Sequence, residues 1–110
     1  MSDTTLQQLM ARAEELRAKY EESNAKNGRE AWRIRDYAMG FVGDVGDLTK
    51  VVLTKENLRD DPNANVKLGS ELADCLNDIL VLANYYGVDL EKELLAKFDA
   101  IDKRIAEKNV

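Results

Sequence analysis

The chain has 110 residues, a formal net charge of −5, no histidine and a single cysteine, with 45% hydrophobic and 34% charged residues. Those figures describe one small domain over residues 1–110, with a single-layer core that gains from burying further surface in an oligomer. They exclude a nucleic-acid polymer as partner, since a phosphate-binding surface shows as a basic excess, and they exclude histidine triads and intrachain disulfides.

No apolar segment follows a basic lead, and no run of about 18 apolar residues occurs, so the expectation is a cytoplasmic protein with neither leader nor membrane span. Cys75 lies inside an apolar helical run and reads as a packing residue in a reducing compartment.

The first predicted helix opens at Thr5-x-x-Gln8, which has the form of a capping box, and carries Leu6, Leu9, Met10, Ala13, Leu16 and Tyr20 at helical spacing until Asn27-Gly28 stops it. A second helix over about 30–56 places Ala38, Phe41, Val42, Val45, Leu48 and Val52 along one stripe, with Asn57 to close it. The stretch 59–65 holds the only proline among Asp and Asn turn formers and reads as a loop. A third helix over about 66–86 carries Leu68, Leu72, Cys75, Ile79 and Leu82 and ends at Gly87 as a C-terminal cap. Asp89 then caps a fourth, whose stripe is Leu90, Leu94, Phe98, Ile101 and Ile105. No segment alternates with period two, so the fold class is all-α and the architecture a four-helix bundle with antiparallel neighbours.

Two acidic pairs interrupt these helices, Asp44-x-x-Asp47 on the second and Glu71-x-x-Asp74 on the third. An i, i+3 spacing places both members of a pair on one helix face, and packing the two helices together makes four carboxylates converge. Such charges repel in a partly dry site unless a cation neutralises them. With no histidine available, the ligands are oxygens, which select Mg²⁺ or Mn²⁺ over zinc or copper. Asp78 continues the Glu71 and Asp74 face one turn on, and is grouped with the substrate-binding residues. Gly40, Gly43 and Gly46 lie beside the first pair, each at a cost of about 1 kcal/mol relative to alanine in a helix. Their presence predicts a close approach there by a neighbouring helix or a ligand. Lys50, one turn beyond Asp47, is a candidate phosphate contact, and Lys55 and Arg59 stand at the open end of that helix. Trp32 and Tyr37 precede the acidic motif and are candidates for stacking on a base or for core packing.

The run Gly40-Phe41-Val42-Gly43-Asp44-Val45-Gly46-Asp47-Leu48, then Glu71-Leu72-Ala73-Asp74-Cys75-Leu76, then Gly87-Val88-Asp89-Leu90-Glu91, resembles the all-α nucleoside triphosphate pyrophosphohydrolases of the MazG and dCTP pyrophosphatase type. Their signature is E-x-x-E on one helix and E-x-x-D on the next, and the resemblance covers about 41–104. It implies a MazG-like fold completed by homodimer or homotetramer formation, with substrate pockets near subunit contacts. It also implies that Asp44, Asp47, Glu71 and Asp74 are the catalytic Mg²⁺ ligands, and that a nucleoside triphosphate is cleaved by water at the α-phosphorus to a monophosphate and pyrophosphate. Lys97 matches the lysine of the family's fourth helix and would bind substrate.

Three departures stand against that pattern. Both first-motif glutamates are aspartates here, shorter by one methylene, so metals would sit closer to the second helix or the helices closer together, an approach the three glycines permit. Gly43 stands where some members carry an additional glutamate. On the fourth helix Lys97, Lys103 and Arg104 are kept, but Ile101 replaces the family asparagine and Tyr-Pro is absent. The expected function is therefore a Mg²⁺-dependent (d)NTP pyrophosphohydrolase. The alternatives are a weak or inactive bundle kept for metal or nucleotide binding or for assembly, and a purely structural oligomerisation module.

Overall fold

Four helices, α1 (Leu6–Lys26), α2 (Ile34–Glu56), α3 (Ala64–Tyr86) and α4 (Leu90–Lys108), make up the computed structural model, which describes residues 3–56 and 63–108. The described residues contain no strand, and the all-α class holds.

Local chemistry accounts for the helix ends. Thr5 Oγ1 accepts from the Gln8 N–H at 3.2 Å and Gln8 Oε1 accepts from the Thr5 N–H at 2.7 Å, so two donors of the first turn are satisfied reciprocally. α2 starts at Ile34, four residues later than its periodicity suggests. Asp36 Oδ2 accepts from the Arg33 N–H at 2.8 Å and fixes the first turn, while Glu21 Oε1 accepts from the Trp32 N–H at 3.2 Å and draws the preceding segment over α1. α3 starts two residues earlier than expected, at Ala64. It ends at Gly87, where φ is +65°, with Gly87 N–H donating to the Asn84 carbonyl at 3.2 Å and Val88 N–H to that of Ala83 at 2.9 Å. That left-handed double closure favours glycine. Asp89 Oδ1 then accepts from the Lys92 N–H at 3.1 Å and opens α4. Asn57, Arg59 and the proline of the expected loop lie outside the described residues.

α2 packs along α3, and α1 lies across α3, where Asn84 Nδ2 donates to the Met10 carbonyl at 2.9 Å. The core is Cys75, Leu80, Val81 and Ala83 of α3 with Ala13 of α1 and Ala64. The α2–α3 seam departs from the expected stripes. On α2 the inward residues are Ile34, Tyr37, Phe41, Asp44, Leu48 and Val51; on α3 they are Leu68, Glu71, Cys75, Asp78 and Leu82. These positions advance by alternating threes and fours, the spacing of a helix-pair seam. Phe41, Leu48, Leu68, Cys75, Ile79 and Leu82 lie inside as expected, but three seam positions are acids, and Val42, Val45, Val52 and Leu72, expected inside, are exposed.

The fourth helix of the bundle is left uncovered in the single chain. Every residue from Glu91 to Lys108 is exposed, including Leu94, Phe98, Ile101 and Ile105. The radius of gyration is 17.6 Å, against about 13 Å for a compact domain of about 100 residues.

Candidate functional site

Lys55 Nζ donates to Asn65 Oδ1 near one end of the α2–α3 pair, and Asp44 meets Asp78 farther along, so the helices run antiparallel and their middles face each other. Asp44 and Glu71 are half-buried in the seam, Asp78 is buried, and Asp47 and Asp74 are exposed at its rim. The two acidic pairs therefore share one seam, as their spacing predicts.

Their electrostatics agree. The Glu71 carboxyl is raised above its ordinary value by burial first, then by Asp47, Asp74 and Asp44. Asp78 is pushed up to about 7 by burial, by the hydrogen bond its carboxyl donates to Asp44, and by the charges of Asp44 and Asp74. Burial raises the Cys75 thiol too, with added repulsion from Asp44, Asp78, Glu71 and Asp74. Among the described residues the ion pairs all lie within α1, and none reaches these carboxylates. Asp78 Oδ2 is buried without a hydrogen-bond partner. Uncompensated like charge and an orphaned oxygen are what a hard cation relieves, and the all-oxygen donor set suits Mg²⁺ or Mn²⁺. The residues thus fit such an ion in chemistry. In geometry they line an open seam: among the described residues, no three Asp, Glu, Cys or His side chains are gathered closely enough to clasp an ion.

The glycines of α2 are not pressed by a neighbouring helix. A Cβ on Gly40 would meet only the Trp32 ring at 3.7 Å, an ordinary contact, and one on Gly43 or Gly46 would meet nothing within 4 Å. Among the described residues no neighbouring element presses on the backbone at Gly43 or Gly46, so of the two approaches the glycines predict, that of a helix is absent there.

Of the substrate candidates, Lys50 lies on the far side of Asp47 from Asp44 and lines a cleft of about 200 Å³ with Val51, Thr54 and Ala64. Trp32 and Asp78 come together in a second cleft, of about 390 Å³, with Leu16, Tyr20, Tyr37 and Asn77. Lys97 is on the exposed α4 and lines neither cleft. Sequence reasoning missed Leu16 and Tyr20 as cleft residues and assigned them to the core. Tyr20 packs edge-on against Trp32 with centroids 6.4 Å apart, and Trp32 against Tyr37 at 5.2 Å. Nothing in the local sequence signals this grouping, because it depends on how α1 crosses α3.

No helix among the described residues is long and apolar enough to cross a membrane. Compared with known proteins, the chain matches no family model and no curated protein.

Proposed function

We propose that this chain is a MazG-like, Mg²⁺-dependent nucleoside triphosphate pyrophosphohydrolase, converting a (d)NTP and water to a (d)NMP and pyrophosphate. One observation carries the reading: acids occupy the α2–α3 seam at Asp44, Glu71 and Asp78, flanked by Asp47 and Asp74, with no side-chain cation paired to them among the described residues. Placing charge where leucine would pack costs stability, and a ligand that needs those carboxylates gives the cost a function.

Asp44, Asp47, Glu71 and Asp74 would hold Mg²⁺ or Mn²⁺, which when bound neutralises phosphate charge and acidifies water. Asp44, half-buried where the two acidic pairs meet, is the carboxylate placed to orient the attacking water or take its proton. Lys50 lies beyond Asp47 and offers positive charge to the departing pyrophosphate. The exposed stripe of α4 supports a homodimer or homotetramer in which a second copy covers Leu94, Phe98, Ile101 and Ile105. Lys97 would reach a site only through that assembly.

A second reading keeps the same seam without turnover, as a metal- or nucleotide-binding bundle, and the open disposition of the carboxylates favours it. Pyrophosphate release from a panel of NTPs and dNTPs with Mg²⁺ or Mn²⁺, repeated with Asp74→Asn, separates the two. Activity in the wild type that is lost in the variant supports the enzyme. No turnover of any nucleotide, or an equally active variant, sinks it.

A further inference from the structure

Besides α4, the α2–α3 pair leaves an apolar surface to water. Val42, Val45, Val52 and Leu53 of α2 and Leu72 and Leu76 of α3 are 39–66% exposed. Val42, Val45 and Val52 each follow a seam residue of α2 by one position, as Leu72 and Leu76 do on α3. In an antiparallel pair, flanks of the same sense lie along the same edge, so these side chains form one surface. α1 lies against the other side of α3, where it bonds to Asn84 and shares a cleft with Asn77 and Val81.

Charge decides what can cover this edge. Between Ala38 and Leu53, and between Leu68 and Leu82, the charged residues are Asp44, Asp47, Lys50, Glu71, Asp74 and Asp78. Asp44, Glu71 and Asp78 lie in the seam, and helical spacing puts Asp47, Lys50 and Asp74 on its opposite rim. A charged peptide or an anionic membrane surface therefore finds no partner on the apolar edge, whereas an apolar helix covers it without burying an unpaired charge. Gly46 and Gly69 border the edge, and a Cβ on either would meet nothing within 4 Å, so a helix laid there can come close to the backbone.

We infer that two copies of this chain exchange α4, each laying the stripe Leu94, Phe98, Ile101 and Ile105 along the outer α2–α3 edge of the other. The two surfaces match in length, since Leu94 to Ile105 rises about 16 Å and Val42 to Val52 about 15 Å. They match in area as well. The six side chains of the edge and the four of the stripe, all exposed, leave roughly 800 Å² of apolar surface per copy, which is what a stable dimer buries on each partner. Reciprocal exchange makes the two contacts identical and closes the assembly at the pair, where a one-way contact would propagate into a filament. With the outer edge covered, the seam carboxylates are reached from the rim of Asp47 and Asp74. The inference rests on the second-copy reading above and names the surface that α4 covers.

The test mixes two variants of the full chain, each altered at exposed positions on one of the surfaces: Val42→Lys/Leu76→Lys on the edge and Phe98→Glu/Ile101→Glu on the stripe. Light scattering should find the wild type associated and each variant alone monomeric, with helix content unchanged by circular dichroism. Mixing them in equal amounts should restore a dimer. One of its contacts then has both surfaces wild type, and the other sets glutamate against lysine. An edge variant that still associates places α4 against another α4, and a stripe variant that still associates places edge against edge. Either result, or a mixture that stays monomeric, overturns the exchange while the association of the wild type stands. A monomeric wild type removes the exchange and the second copy together.

Discussion

The Asp78 carboxyl on α3 is raised to about 7 by burial and by the Asp44 carboxyl of α2 beside it, inside a seam where both positions fall on the apolar register of their helices. Two acids in contact there share one proton more readily than they carry two charges. The pH dependence of stability and of metal affinity is expected to follow that pair.

Stability should fall as pH rises through neutrality. Asp78 goes from an ordinary 3.8 to about 7 on folding, so the folded chain holds that proton more tightly. Its contribution is complete below the ordinary value and is lost as pH rises through about 7, a loss on the order of 2–4 kcal/mol. Glu14 is held below its ordinary value by its hydrogen bond to Arg17, and acts oppositely, with stability lost only as pH falls through the acid range. Urea melts in chelator from about pH 5 to about pH 8 should show the decline, and Asp78→Asn should flatten it. A wild-type profile that rises over that range contradicts the assignment.

Divalent cation should stabilise the fold by occupying the seam. Millimolar Mg²⁺ or Mn²⁺ is expected to raise Tm at about pH 8 and to do so less at about pH 5, where Asp78 holds its proton and protons compete more for Glu71, whose carboxyl is raised by burial and by its acidic neighbours. Glu71→Gln should lose most of the shift. Equal shifts at both pH values, or in the variant, would place the ion elsewhere.

Glycine substitution on α2 should help the isolated chain. An added Cβ at Gly46 meets nothing within 4 Å, so Gly46→Ala is expected to stabilise by roughly 0.5–1 kcal/mol through helix propensity. At Gly87, where φ is +65°, alanine should instead destabilise by about 1 kcal/mol. Denaturant midpoints at matched m-values check both signs.

Assembly should depend on α4. Phe98 and Ile101 are exposed, so replacing both with glutamate leaves the single chain's packing untouched. The expected outcome is an oligomeric wild type and a monomeric Phe98→Glu/Ile101→Glu variant of unchanged helix content, read by light scattering and circular dichroism. A monomeric wild type at tens of micromolar would refute the second copy.

The helix caps were legible because they are decided within a few residues: Thr5 with Gln8, Gly87 and Asp89 each act on backbone groups one turn away or less. The start of α2 was not, since residues 30–33 follow helical composition but Trp32 is drawn to Glu21, eleven positions earlier. The seam was legible only in part, for a different reason. Acids at Asp44, Glu71 and Asp78 break the apolar pattern on the inward face, and the valines on the outward face supply a false one.

By itself the sequence determined an all-α chain of four helices and two acidic pairs on one face each, because helical period and capping are properties of neighbouring residues. Tertiary structure alone decided that Asp78 reaches Asp44 and that Tyr20 joins Trp32 beside it. It also decided that α4 leaves its apolar stripe uncovered. Each of these depends on which helix faces lie against one another, and that is set by the summed packing of the whole chain rather than by any local spacing.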